Sequence, residues 1–411
     1  MSSERLAKIR PAFEREIAEG KIPGGVVMIA RKGKVVFNES FGAQAPGGQP
    51  MSKDAIFRIY SMTKPFASIA AMMLMEDGKL QLTDPVSKFI PEMKSQQVSA
   101  PSANALAQQI HVAVPAERQP TIQDLLRHTA GLAYGEITTN PLVKQAYTKS
   151  NLFKPDFEYN TTDLTPEQFV QGLASAPLAH QPGTVWEYSL ATDVLGRVVE
   201  KVSGKRLGEF LEERLFAPLK MTDTGFSIRQ DKLARVAEPF AKDPSSGNPN
   251  RLIDASKPPQ NDSGGAGAVS TASDYLRFTQ MLLNGGELDG TRVLSPTTIA
   301  LMASDHLGSD IKQPAQPGEL LLGAKGYTFG LGFAVRKEQG IAGFPGSPGD
   351  YTWAGYGGTY FWVDPKQELV AVMMTQAPGP SRAYYRRLIR QMVYQAITEA
   401  PAPATNGSNR M

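Results

Sequence analysis

The chain has 411 residues, 41% of them hydrophobic and 20% charged, with a formal net charge of +3. That is ordinary globular composition, enough to bury a large core as two or three domains or as one two-lobed unit. So small a charge, with no run of five or six like charges, argues against a nucleic-acid partner. The lack of cysteine excludes disulfides, thiol catalysis and thiolate metal sites.

Near the N-terminus, Leu6, Ile9, Phe13 and Ile17 recur at helical spacing, with Pro11 as an interruption. This segment mixes charges of both signs, so no signal peptide is expected and the reading is a cytoplasmic protein. The run VVMIARKGKVVFNESFG (26–42) reads as a hairpin about Lys32-Gly33. A helix is predicted from Ser61 to Asp77-Gly78. Its apolar stretch FASIAAMMLM (66–75) is too short to span a bilayer, so no membrane partner is expected.

Residues 80–260 are rich in Pro, Asn and Gln, with short helical patterns at 121–128 and 191–204. YFWVDP (360–365) and ELVAVMMTQ (368–376) read as strands. The last helix begins near Ser381, with Tyr385, Leu388, Ile389, Met392 and Ile397 as its stripe. The tail from 397, ending APAPATNGSNRM (400–411), is expected to be disordered. The fold class expected is α/β (α+β). An antiparallel sheet flanked by helices draws on residues 1–61 and 262–396, and a mainly helical lobe, 62–261, is inserted. A cleft between lobes is a common ligand site.

Three segments carry candidate chemistry. In Ser61-Met62-Thr63-Lys64, residues i and i+3 share a helix face, so the Lys64 amine can reach the Ser61 hydroxyl. Serine becomes a nucleophile when a neighbouring base takes its proton, and lysine serves only if burial or nearby positive charge lowers its pKa. The alternative is an ordinary capped helix start. A second S-x-x-K, Ser309 to Lys312, runs into QPAQPGE, which cannot continue a helix. Tyr188, at a loop-to-helix transition, is a candidate phenolic base, against the commoner half-buried tyrosine. Trp353-Ala354-Gly355-Tyr356-Gly357-Gly358 precedes a strand, and its glycines permit close backbone approach to a ligand; a tight turn is the bland account.

In order and spacing these segments resemble the serine β-lactamases, D-Ala-D-Ala carboxypeptidases and family VIII carboxylesterases. Ile22-Pro23-Gly24, LLRHTAGL (125–132), GGAGAVSTASDYLRF (264–278) and FGLGF (329–333) look similar too, so the resemblance spans about 20–395. It implies Ser61 as nucleophile and Lys64 with Tyr188 as the general-base pair. The N–H groups of Ser61 and Tyr356 would form the oxyanion hole. Trp353, Gly355, Leu190 and Tyr134 would contact substrate, with no metal or cofactor. Leu190 stands where that family has an Asn, and Trp353 where it has a Lys. Both changes argue for neutral, short-acyl esters as small-molecule substrates over β-lactams or peptides. A β-lactamase, a carboxypeptidase or an acyltransferase using the same site is the alternative.

Other chemistries fit less well. Pro345-Gly346-Ser347-Pro348-Gly349 approximates a nucleophile elbow, but no strand leads in and no helix follows. The histidines at 111, 128, 180 and 306 are scattered, and His128 is read as a structural hydrogen-bonding residue. GGAGAV (264–269) lacks the third glycine of a dinucleotide loop and is read as a backbone approach to the active site. A binding protein that kept the fold would be expected to lose Ser61 or Lys64.

Overall fold

The computed structural model describes residues 1–103, 109–155 and 157–399; the expected tail segment 400–411 lies outside them. The N-terminal hairpin turns at Lys32 and Gly33, both at positive φ (52° and 71°), as a two-residue turn matched to strand twist requires. Its strands are β1 (Gly24–Arg31) and β2 (Lys34–Gly42). From the other end of the chain come β3 (Tyr327–Phe329), β4 (Ala334–Arg336), β5 (Tyr351–Ala354), β6 (Tyr360–Asp364) and β7 (Leu369–Thr375). Together they make one seven-stranded sheet of order β2-β1-β7-β6-β5-β4-β3, antiparallel throughout. Gly25 lies opposite Thr375, and Arg31 opposite Leu369.

Helices cover both faces. They are named α1 (Ile9–Ala18), α2 (Lys64–Glu76), α3 (Ala191–Ser203), α4 (Ala272–Leu283) and α5 (Arg382–Tyr394). Successive strand residues point to opposite sides. On β6, Phe361 meets Tyr275 of α4 at 5.1 Å between ring centres, while Trp362 stacks on Tyr394 of α5 at 6.3 Å. Burial on both faces explains why β6 and β7 read as unbroken apolar runs rather than as alternating ones. Helix α2 is likewise buried all round from Lys64 to Leu74, as a helix in the core must be. Under α5 lies an ionic knot. Asp350 accepts from both Nη atoms of Arg390 at 2.9 Å and pairs with Arg336 Nε at 3.0 Å, all three residues buried.

Four expectations need correction. The N-terminal helix is two pieces, Ser3–Leu6 and Ile9–Ala18, and Pro11 sits in the first turn of the second, where no intrahelical donor is required. The helix expected from Ser61 begins instead as a 3-10 turn, Tyr60–Thr63, and becomes α-helical at Lys64. Residues 62–261 also contain a two-stranded hairpin, Gln97–Ala103 with Gln109–Pro115, hidden in sequence by Pro101 and by small polar residues. Residues 397–399, expected in the tail, are held, with Glu399 paired to Arg31 at 3.0 Å. Among the described residues no helix is long and apolar enough to cross a membrane.

Candidate active site

The chain enters α2 through a strained turn. Tyr60, a bulky residue, sits at φ +46°, in the left-handed region. Its hydroxyl accepts the Ile253 N–H at 2.9 Å, and its ring packs 5.3 Å from that of Tyr356. Such strain persists only where the surroundings over-determine it, and here it immediately precedes Ser61. Pro65 at the start of α2 loses no helix bond there.

The turn-to-helix junction puts Lys64 Nζ 3.3 Å from Ser61 Oγ. Tyr188 arrives from the loop before α3, its hydroxyl donating to Ser61 Oγ at 2.6 Å. Lys64 also donates to Tyr134 Oη at 2.9 Å and to the Gly265 carbonyl at 2.8 Å. That carbonyl shares a peptide plane with the Ala266 N–H, which Ser263 Oγ accepts at 3.0 Å; Ser263 Oγ in turn donates at 2.5 Å to Asp193 in the first turn of α3, which also accepts the Gly265 N–H at 3.2 Å. A Cβ at Gly265 would fall 2.2 Å from the Asp193 carboxylate, so only glycine lets the loop approach this closely.

Lys64 is 1% exposed and, among the described residues, has no carboxylate in contact. Burial pushes its ammonium down from the usual 10.5 to about 7, against an opposing pull from Asp193. A neutral amine has two N–H donors and one lone pair. Gly265 O and Tyr134 Oη take the donors at the shorter distances, which leaves the lone pair for Ser61. Burial pushes the Tyr188 phenol well up, so it stays protonated at neutral pH and acts as a donor. The Trp353 indole N–H lies close enough to favour phenolate somewhat, yet makes no hydrogen bond of normal geometry. His128 is pushed well below its usual value by burial and hence neutral; Nδ1 meets Ser189 Oγ at 3.1 Å and the ring packs on Tyr188.

Ser61, 7% exposed, opens into a cleft of about 120 Å³ lined by Tyr188, Trp353, Gly355 and Tyr356. Among the described residues no backbone or side-chain acceptor is bonded to the N–H of Ser61 or of Tyr356. A Cβ at Gly355 would sit 2.3 Å from Ile59 O and 2.2 Å from Thr359 Oγ1, so glycine is what brings the 355–358 turn against the Ser61 turn. A second chamber of about 580 Å³, lined by Ile137, Trp186 and Pro314, shares Tyr188 and Leu320 as walls with the first.

Not every expected contact reaches the cleft. Leu190 is buried as the residue preceding α3 and does not line it. Tyr134 stands behind Lys64 as its hydrogen-bond partner instead of forming a substrate wall. Sequence reasoning passed over Asp193 and Tyr159. The former lies inside WEYSLATDVLG (186–196), and the latter lines the cleft 5.2 Å from the Tyr356 ring. It also passed over Arg382 and Arg386 of α5, which bring positive charge to the cleft. Of the rival serines, Ser309 is exposed outside any helix, and buried Ser347 gives its N–H to Asp350 at 3.2 Å. Among the described residues no three His, Asp or Glu are grouped to hold a metal ion.

A sequence model of the Beta-lactamase family matches residues 9–394. An uncharacterised protein of Mycobacterium tuberculosis is 36% identical over 370 residues, 88% of each chain. Esterase EstB of Burkholderia gladioli is 28% identical over 394 residues, 90% of each. Among solved structures, EstCE1, described as a hydrolase with promiscuous acyltransferase activity, superposes with a TM-score of 0.75 at 30% identity. That match covers 95% of this chain and 99% of EstCE1.

Proposed function

The chain belongs to the beta-lactamase family and is a serine hydrolase of that fold; on that premise we propose that it is a carboxylesterase working through an acyl-enzyme on Ser61. One observation carries the reading. A buried lysine whose ammonium burial pushes down to about 7 touches a serine hydroxyl, and a protonated tyrosine touches the same oxygen. These are two groups whose surroundings push their pKa values apart, as acid and base roles require.

In this mechanism the Lys64 lone pair takes the Ser61 proton while Oγ attacks the ester carbonyl. The N–H groups of Ser61 and Tyr356 hold the oxyanion. Tyr188 gives its proton to the leaving alkoxide, which leaves Tyr188 as phenolate and Lys64 as ammonium. The alcohol departs and the acyl group stays on Ser61. Water then attacks the acyl carbonyl with the roles reversed, releasing the acid and regenerating both groups. Every proton is returned within the Lys64–Ser61–Tyr188 set, so the step calls on no metal or cofactor.

The small cleft beside Ser61 supports a short acyl group, and the apolar Trp353 wall supports a neutral one. The EstB relative, an esterase, supports ester over β-lactam substrates. A cytoplasmic setting belongs to the same reading. Acyl transfer to an alcohol is the second reading, favoured by the large adjoining chamber and by the activity ascribed to EstCE1. A rate panel of p-nitrophenyl esters of increasing acyl length, beside a chromogenic cephalosporin, tests the assignment. Short esters should be turned over far faster, and a fluorophosphonate should add mass to the Ser61 peptide. A preference for the cephalosporin would make this a β-lactamase. An intact fold that takes no label would make it a binding protein.

A further inference from the structure

The N–H of Ser61 is fixed by its own helical turn, but that of Tyr356 lies in the glycine-rich turn 355–358 and must be aimed by something else. A peptide unit is planar and trans, so the Gly355 carbonyl and the Tyr356 N–H form one rigid plate pointing opposite ways. Arg386 Nη2 donates to that carbonyl at 2.7 Å. On the next plate, the Tyr356 carbonyl accepts from Arg382 Nη1 at 2.8 Å. The two arginines are one turn apart on α5. Arg386 is also anchored through Nη1 to the Leu321 carbonyl at 2.9 Å.

Arg386 is 5% exposed, and its described hydrogen bonds go to carbonyls, not to a carboxylate. Its Nε is buried with no hydrogen-bond partner among the described residues. Arg390, one turn further along the same helix, shows the usual arrangement, with Asp350 bidentate against it. An uncompensated buried charge is costly, and such groups concentrate where a site needs them. Burial, with Arg382 close by, pushes the Arg386 guanidinium down to about 9, which leaves it charged at neutral pH.

We propose that Arg386 is a positioning residue for the oxyanion hole: by holding the Gly355 carbonyl it aims and polarises the Tyr356 N–H, with Arg382 as a second clamp. A charge-assisted bond to the oxygen of an amide draws electron density away from its nitrogen and strengthens its N–H as a donor. The inference rests on the ester-hydrolase reading above.

The test compares Arg386→Met, Arg386→Lys and Arg382→Met on a neutral p-nitrophenyl ester and on its thionoester, whose sulfur accepts hydrogen bonds poorly. Arg386→Met should lower kcat by about 10²-fold, the usual effect of losing one oxyanion donor, with KM little changed. Its oxo-to-thiono rate ratio should collapse toward one. Arg386→Lys should recover part of both. Arg382→Met, at a half-buried position, should lower kcat roughly tenfold, about one ordinary hydrogen bond, and it decides the matter alone if Arg386→Met does not fold. Slow turnover with the wild-type ratio would mean a merely structural arginine, and near-wild-type rates would mean no role. A loss confined to carboxylate-bearing esters would make Arg386 an anion receptor instead. Each of these overturns the proposal. A wild-type protein with neither ester turnover nor a Ser61 adduct overturns the hydrolase reading as well, so the two failures are distinguishable.

Discussion

Two buried cations of this protein behave oppositely. Lys64 is surrounded by tyrosine rings, a carbonyl and a hydroxyl, its Nζ 4.6 Å from the Tyr188 ring centre, and it falls to about 7. Arg390 is buried as deeply and bears the same desolvation cost, but Asp350 outweighs it and holds the guanidinium well above its ordinary value. Depth alone therefore does not decide which way a buried base is shifted; burial pushes it down, and a carboxylate in contact reverses the shift. One region spends an ion pair on holding β5, β4 and α5 together. The other withholds the counter-ion and so makes an amine able to accept a proton.

The hardest test of this contrast removes what the amine serves. Ser61→Ala should abolish acylation and fluorophosphonate labelling, with an unchanged circular dichroism spectrum. Asp350→Ala should strand two buried arginines and cost about 3–5 kcal/mol in denaturant unfolding, while Lys64→Ala should leave the fold stable. Lys64→Ala and Tyr188→Phe should each lower kcat/KM by about 10²-fold or more through lost proton transfer, and near-full activity of Tyr188→Phe would remove it from the mechanism. The pH profile sharpens the comparison further. The base must be neutral, so kcat/KM should rise with pH through about 7, the value at which Lys64 loses its proton. The smallest effect concerns Asp193, whose carboxylate partly sustains the ammonium. Asp193→Asn keeps an acceptor for Gly265 and should move that limb to lower pH. A limb that stays put or moves to higher pH would show that Asp193 does not sustain the ammonium.

The sequence showed the architecture where a pattern has a local cause. The Lys32-Gly33 turn and the apolar strands at 360–376 follow from residues next to one another, whereas the last helix ends at Tyr394, short of Ile397, and buries Arg386, Arg390 and Val393 beside Tyr385 and Ile389. The S-x-x-K spacing similarly survived the surprise that Ser61 sits in a 3-10 turn, because i and i+3 converge in either kind of helix. What stayed hidden depends on contacts between distant segments. Asp193 matters only because Gly265 folds against it, 72 positions away. Tyr134 has no local signal that sets it behind Lys64 instead of in the cleft, and an arginine on the final helix gives no hint that it will hold the carbonyl of Gly355. Leu190 occupies a recognisable motif position, yet the local backbone turns it inward.

Of the two antiparallel partners of β1, β2 follows at once and β7 only long afterwards. β1 is buried along its whole length and pairs with β7 across roughly 350 residues of chain. At ordinary synthesis rates of about 5–20 residues per second, the ribosome delivers that partner roughly 20–70 s after β1. Throughout that interval an apolar hairpin has one edge open, the situation in which chains aggregate or recruit chaperones. Yield from a heterologous host should thus respond to translation speed and holdase supply more than to any residue in the cleft. A premature stop before Leu369 would remove the strand that joins β1 to β6.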